Sequence, residues 1–133
     1  MKTAKKVLLM LLAALTLTLS LTGCKYVTHY NAVGCVQSST SKTAYLNFYE
    51  FKGRIVFKLK VGDEGGSLKY AAKLESGEAT VYIDRTGEKE SLLVVHGGDD
   101  VNDVLSGLEK GTVYVIIETA GKCGNGIFDF QIV

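Results

Sequence analysis

Tryptophan and proline are absent from this chain, and histidine and cysteine are scarce: two and three residues in 133. Each shortage excludes something. Without tryptophan the usual sign of a sugar-stacking site is missing, so any aromatic platform has to come from the seven tyrosines. Without proline the turns fall to glycine, of which there are 15. With only His29 and His96, histidine-rich metal clusters are out of reach, and neither a Gly-x-Ser-x-Gly elbow nor a phosphate-cradling glycine loop occurs. Lys and Arg total 15 against 14 Asp and Glu. No contiguous basic block marks a nucleic-acid or anionic-lipid patch, and no nucleic-acid partner is expected.

Long apolar runs are also rare. The one present spans Val7 to Leu21, uncharged, behind Lys2, Lys5 and Lys6. It is shorter than the roughly 20 residues of a spanning helix, and the order of basic start, apolar stretch and small residues is that of a secretory signal. The run closes on Leu21, Thr22, Gly23, Cys24, which resembles the lipobox of bacterial lipoproteins. That resemblance implies cleavage before Cys24 and a diacylglycerol thioether on its sulfur. It implies a mature chain anchored outside the cytoplasm, at the cell membrane or an outer membrane. Several buried acyl chains, at about 0.8 kcal/mol per CH₂, anchor stably where one is marginal. Lys25 stands where many Gram-negative inner-membrane lipoproteins carry aspartate.

On this reading residues 1–23 are a signal peptide, 24–42 a lipidated tether and 43–133 one domain. The mature 110 residues, with 12 basic against 14 acidic side chains, suffice for a single core. Lipidation of Cys24 leaves Cys35 and Cys123, either a disulfide stapling the entry segment to the last hairpin or two separate buried thiols. Neither has a second sulfur within zinc-site spacing.

From Thr43 onward the pattern alternates with period two. Inward sets are Ala44, Leu46 and Phe48, with Tyr45, Asn47, Tyr49 and Phe51 opposite; then Ile55, Phe57, Leu59 and Val61, with Arg54, Lys58 and Lys60 opposite. Leu68, Tyr70, Ala72 and Leu74 follow; then Ala79, Val81 and Ile83; Leu92 and Val94 with His96; Val113, Val115 and Ile117; Phe128, Phe130 and Ile132. Glycine-bearing turns at Lys52-Gly53, Gly62–Gly66, Ser76-Gly77, Thr86-Gly87 and Lys110-Gly111 separate them. About seven such strands predict an all-β fold, an antiparallel, jelly-roll-like β-sandwich. In the tether, Tyr26, Val27, Tyr30, Val33 and Val36 are apolar enough for part of it to dock as an edge strand. One segment breaks the period: Val101, Val104, Leu105 and Leu108 fit a helical face with Asp99 or Asp100 as cap, predicting a short helix near 100–108 or a distorted strand.

The stretch from Phe51 to Val133 resembles pre-peptidase C-terminal type sandwich domains of secreted bacterial proteins. The resemblance is carried by Gly53 with Phe57 and Leu59, by Val81 to Ile83, by Leu108 with Gly111, Thr112 and Tyr114, and by Gly126 with Phe128, Phe130 and Ile132. Val113 departs from the pattern by separating Thr112 from Tyr114.

Two clusters are candidate sites. Asp99, Asp100, Asn102 and Asp103 gather hard oxygen ligands suited to calcium, or cap a helix without metal. Tyr45, Tyr49, Tyr82 and Tyr114 point outward and are candidates for a ligand platform, although tyrosine favours strands whatever it touches. No catalytic constellation stands out and no cofactor is expected beyond the lipid. The expected role is a membrane-tethered binding or accessory module for a glycan or protein ligand. The alternatives are an envelope inhibitor or assembly partner and, less favoured, a thiol-dependent enzyme pairing a cysteine with His96.

Overall fold

A computed structural model describes residues 26–133; the leader, the lipobox and Cys24 lie outside the described residues. Nine strands form an antiparallel β-sandwich: β1 His29–Val33, β2 Val36–Ser39, β3 Thr43–Val61, β4 Gly66–Ser76, β5 Glu78–Asp84, β6 Lys89–His96, β7 Asp100–Leu108, β8 Gly111–Thr119 and β9 Cys123–Ile132. Among the described residues there is no helix.

The sandwich is organised by β3, whose 19 residues serve both layers. Its first half pairs with β9 from Thr43 to Phe51, and its second half with β8 from Arg54 to Val61. β1 pairs with both Phe51 and Arg54, so β8 and β9 lie in tandem along the opposite edge of β3. One layer is therefore β3 (first half), β9, β4, β7, and the other is β3 (second half), β8, β5, β6. The chain passes between layers at Gly53, at Gly77 between β4 and β5, at Gly97-Gly98 between β6 and β7, and at 120–122 between β8 and β9. These corners are stitched into one seam. The Gly53 amide donates to Thr119 Oγ1 at 2.8 Å, Gly97 N to the Gly77 carbonyl at 2.9 Å and Ala120 N to the Glu78 carbonyl at 3.0 Å.

The core lies between the layers, and the alternating inward sets fill it. Leu46, Leu59, Leu68, Val81, Val115 and Phe128 are all fully buried. Where the sequence pattern fails, a break in regular pairing explains it. Lys52-Gly53 is no turn but the bend of β3, and just ahead of it, between Phe48 and Phe51, the buried positions change parity. Ala44, Leu46 and Phe48 point inward before it and Ile55, Phe57, Leu59 and Val61 after it. Phe51, assigned above to the wet face, is fully buried and stacks on Tyr30 at 4.9 Å between ring centroids.

In β6 a bulge between Val81 and Tyr82 of its partner inserts one residue. Val95 is then buried while Val94 and His96 are exposed, the reverse of the expectation. The predicted helix at 100–108 is likewise a strand. β7 pairs with β4 from Lys73↔Asp100 to Gly66↔Leu108, and a bulge opposite Gly66 and Leu68 gives it an extra residue. Val101, Leu105 and Leu108 therefore lean to the core at spacings of four and three, which imitates a helix face.

In the stretch read as a tether, β1 and β2 both pair with β3 in one unbroken register. Cys35 sits in the short gap between them, partly buried, and Cys123 is buried; both are free thiols. β3 explains why they are not bridged. The β1–β2 line lies on one edge of it and β9 on the other, two strand spacings of about 4.8 Å each. That exceeds the roughly 7 Å between Cα atoms that a disulfide tolerates. The Cys123 thiol instead donates to the Glu78 carbonyl at 3.4 Å.

Candidate functional site

Alternation and register together place the outward side chains of the β3–β9–β4–β7 layer in rows. One row runs Asn47, Ile127, Lys73, Asp100; the next runs Tyr45, Asp129, Ala71, Asn102; the third runs Thr43, Gln131, Lys69, Val104. No other described element covers this face. Tyr45 and Asn47 are half-buried by their neighbours, and Lys69, Lys73, Asp129 and Gln131 are exposed.

At the seam end of this face the rows drop into a groove of about 510 Å³ lined by Asn47, Phe48, Lys73, Glu75, Asn125 and Ile127, with Gly98 and Asp99 at its rim. Its shape depends on the Cys123–Gly126 run. Gly126 leaves room for the Phe48 ring, whose Cζ would lie 2.3 Å from any Cβ there. Asn125 is the one non-glycine described residue in the left-handed region, at φ 47°, and its amide donates to Glu75 Oε2 at 2.6 Å. Asn125, Glu75 and Asp99, which accepts the His96 amide at 2.8 Å, are thus fixed by internal bonds. Tyr45, Asn47, Lys73, Asp129, Gln131 and Asn102 take part in no side-chain hydrogen bond or ion pair among the described residues. The face combines aromatic, carboxamide, ammonium and carboxylate groups, open to solvent, around the exposed apolar Ile127.

The opposite outer face, on β3–β8–β5–β6, is built differently. Its polar groups engage one another: Arg54 with Glu118 at 2.5 Å, Lys89 with Glu118 at 3.4 Å, and Lys89 over the Tyr82 ring at 4.2 Å. Across it lies the entry segment. The Tyr26 ring packs on Tyr114 with centroids 5.6 Å apart, and its hydroxyl donates to Asp84 Oδ2. Thr28 Oγ1 takes the Val56 amide at 3.1 Å. Burial, and then the Asp84 carboxylate beside it, push the Tyr26 phenol up to about 12. Asp84 is the one buried polar residue described, 3% exposed, and its Oδ1 accepts the Thr86 and Gly87 amides.

The four candidate tyrosines are therefore split. Tyr45 and Tyr49 belong to the open face, Tyr82 and Tyr114 to the face under the entry segment, so no single platform holds all four. The acidic candidates also part company. β7 sends Asp100 and Asn102 to the open face, while Asp103 turns to Tyr70, whose phenol is raised by burial and by this carboxylate. Among the described residues no group of three or more His, Cys, Asp or Glu side chains is placed to hold a metal ion. Burial raises both the Cys35 and the Cys123 thiols, the opposite of what a nucleophile needs. His96 faces Glu78 at 3.5 Å and Asp99 at 3.4 Å rather than a thiol.

No known family matches the chain, so the likeness to pre-peptidase C-terminal domains gains no support, and no curated protein matches it. Solved structures with partial overlap include a mutant of a family 29 carbohydrate-binding module, at TM-score 0.42 and 17% identity over 78% of this chain and 77% of that one. TmCBM61 in complex with β-1,4-galactotriose overlaps at TM-score 0.43 and 14% identity, over 74% of this chain and 69% of that one. The EutQ protein of Clostridium difficile overlaps at 0.36 and 13%, over 74% and 66%. Overlaps of this depth are of general shape, and the ligand of this chain has to be argued from its own geometry.

Proposed function

We propose that this protein is a lipid-anchored, extracytoplasmic binding module that takes an oligosaccharide on the open face of the β3–β9–β4–β7 layer. The uncommitted polar rows carry the reading. Sugar hydroxyls donate and accept at once, and carboxamide, carboxylate and ammonium groups spaced along neighbouring strands answer them in pairs. Tyr45, Tyr49 and Ile127 offer flat apolar contact for the C–H faces of the rings. The groove at the seam end sets one boundary of such a site.

Titration with a panel of neutral and acidic oligosaccharides, followed by thermal denaturation, is expected to raise the melting temperature with at least one of them, by mass action on the folded state. Asn47→Ala and Tyr45→Ala are each expected to weaken that ligand by about tenfold or more, the loss of 1.4 kcal/mol or above, with little change in the melting temperature of the unliganded protein. Tyr82→Ala, on the other face, leaves binding unchanged. A panel without any shift, or equal losses from Tyr82→Ala, overturns the reading.

The anchor makes its own prediction. Cys24→Ser removes the only sulfur in the lipobox, and the product is expected in the soluble fraction, unlabelled by palmitate and with an unchanged far-ultraviolet spectrum. Persistence in the membrane fraction contradicts the lipid attachment.

A further inference from the structure

The entry segment and the charge of the face it crosses bear on how the domain sits once anchored. Tyr26 is the second residue after Cys24, and two extended residues span at most about 7 Å. Tyr26 is not part of a loose linker. Its ring rests on Tyr114 and its hydroxyl bonds Asp84, and those two residues belong to a single cross-strand row with Lys58, which pairs with Tyr114. An acyl chain on Cys24 would therefore be joined to the domain through no more than about 7 Å of chain from Tyr26, which itself packs on the row Lys58, Tyr114, Asp84.

The same face is basic. Lys58 and Lys60 are exposed on β3, and Arg54 and Lys89 flank the Glu118 carboxylate that they share. With Glu78, Asp84 and Glu118 as the acidic groups on the outer side of these strands, four cations stand against three carboxylates, of which Asp84 is buried beneath Tyr26. Arg54, Lys58 and Lys60 are spread by alternation and Lys89 comes from a distant strand, so no run in the sequence shows the patch. The open face across the sandwich has no such excess: it carries Lys69 and Lys73 beside Asp100, Asp129 and Glu75.

We infer that the outer face of the β3–β8–β5–β6 layer lies against anionic lipid headgroups, and that the opposite face is thereby presented away from the membrane. The inference rests on the lipid anchor proposed above. The tether is too short to let the domain turn over, and each lysine or arginine near an anionic surface adds to the attraction.

Four exposed lysines serve as reporters, Lys58 and Lys60 on one face and Lys69 and Lys73 on the other. The lipidated full chain is reconstituted into vesicles of phosphatidylethanolamine and phosphatidylglycerol that contain no other protein. It is then labelled with a membrane-impermeant amine reagent and read by peptide mass spectrometry against the same protein in detergent. Lys58 and Lys60 are expected to react about fivefold or more slowly on vesicles than in detergent, as lysines held at an anionic surface should, while Lys69 and Lys73 react alike in both. Equal reactivity of all four, or protection of Lys69 and Lys73, overturns the orientation.

A long Gly/Ser spacer inserted between Lys25 and Tyr26 keeps the lipid but frees the domain, and protection of Lys58 and Lys60 should then vanish. Protection that survives the spacer overturns the role given to the short tether. Failure of the anchor itself shows separately, as a chain that carries no lipid and does not enter the vesicles, and it takes the inference with it.

Discussion

Gly53→Ala is expected to destabilise the protein by about 3 kcal/mol or more, by backbone strain and steric conflict together. Gly53 adopts φ +132°, a conformation open to glycine and costly for any residue with a Cβ. The added carbon would stand 2.2 Å from the His29 carbonyl oxygen and 2.7 Å from Tyr30 Cα. Both obstacles are backbone, so no side-chain rotation relieves them; β1 has to move off β3. That movement also pulls at Thr28 and Tyr26, and so at the entry segment on the far face. Denaturant unfolding should show a lower midpoint with an unchanged slope. Gly121→Ala is the control, since nothing lies within 4 Å of its added carbon and its φ is not in the left-handed region. Its effect should stay within about 0.5 kcal/mol. A loss below about 1 kcal/mol for Gly53→Ala means that β1 does not lie against the bend as described.

The bend at Gly53 also marks the limit of what alternation reveals. Ile55 to Val61, Leu68 to Leu74 and Phe128 to Ile132 are legible as half-buried strands because inward and outward are decided locally, by the pleat. A single inserted residue reverses the assignment for everything beyond it. The bulges opposite Val81–Tyr82 and Gly66–Leu68 do this to Val95 and to Leu108. The sequence carries only faint signals of them, such as the three-residue step from Leu105 to Leu108 and Gly107 beside it. The candidate site was half legible for a related reason. Alternation says that Tyr45, Tyr49, Tyr82 and Tyr114 face solvent, but which layer each belongs to is set by strand order, and the tandem placement of β8 and β9 along one edge of β3 has no local signature. Nothing local marks Asn47, Lys73 and Asp129 as site residues, because an ordinary polar residue on a strand looks the same whether its face is open, as here, or crossed by another segment, as around Tyr114.

Phe51 offers the sharpest test of the parity change. If β3 alternated without interruption, Phe51 would share the solvent face with Tyr49, which is 61% exposed, and its truncation would matter little. In the structure it is fully buried, with its ring 4.9 Å from Tyr30 and 5.1 Å from Phe48, and its backbone pairs with Ala32 on one side and Cys123 on the other. Phe51→Ala is therefore expected to cost about 3 to 5 kcal/mol, the range for a buried phenylalanine whose cavity only partly collapses. Lys52→Ala, one residue on and exposed, should be near neutral. Because the lost ring touches Tyr30 of β1 and Phe48 of the β3–β9 layer at once, Phe51→Ala and Tyr30→Ala should not add. Their coupling in a double-mutant cycle should fall within about 0.5 to 3 kcal/mol, as for residues in contact. A near-zero cost for Phe51→Ala returns that side chain to the surface, straightens β3, and removes the corner from which the two layers diverge.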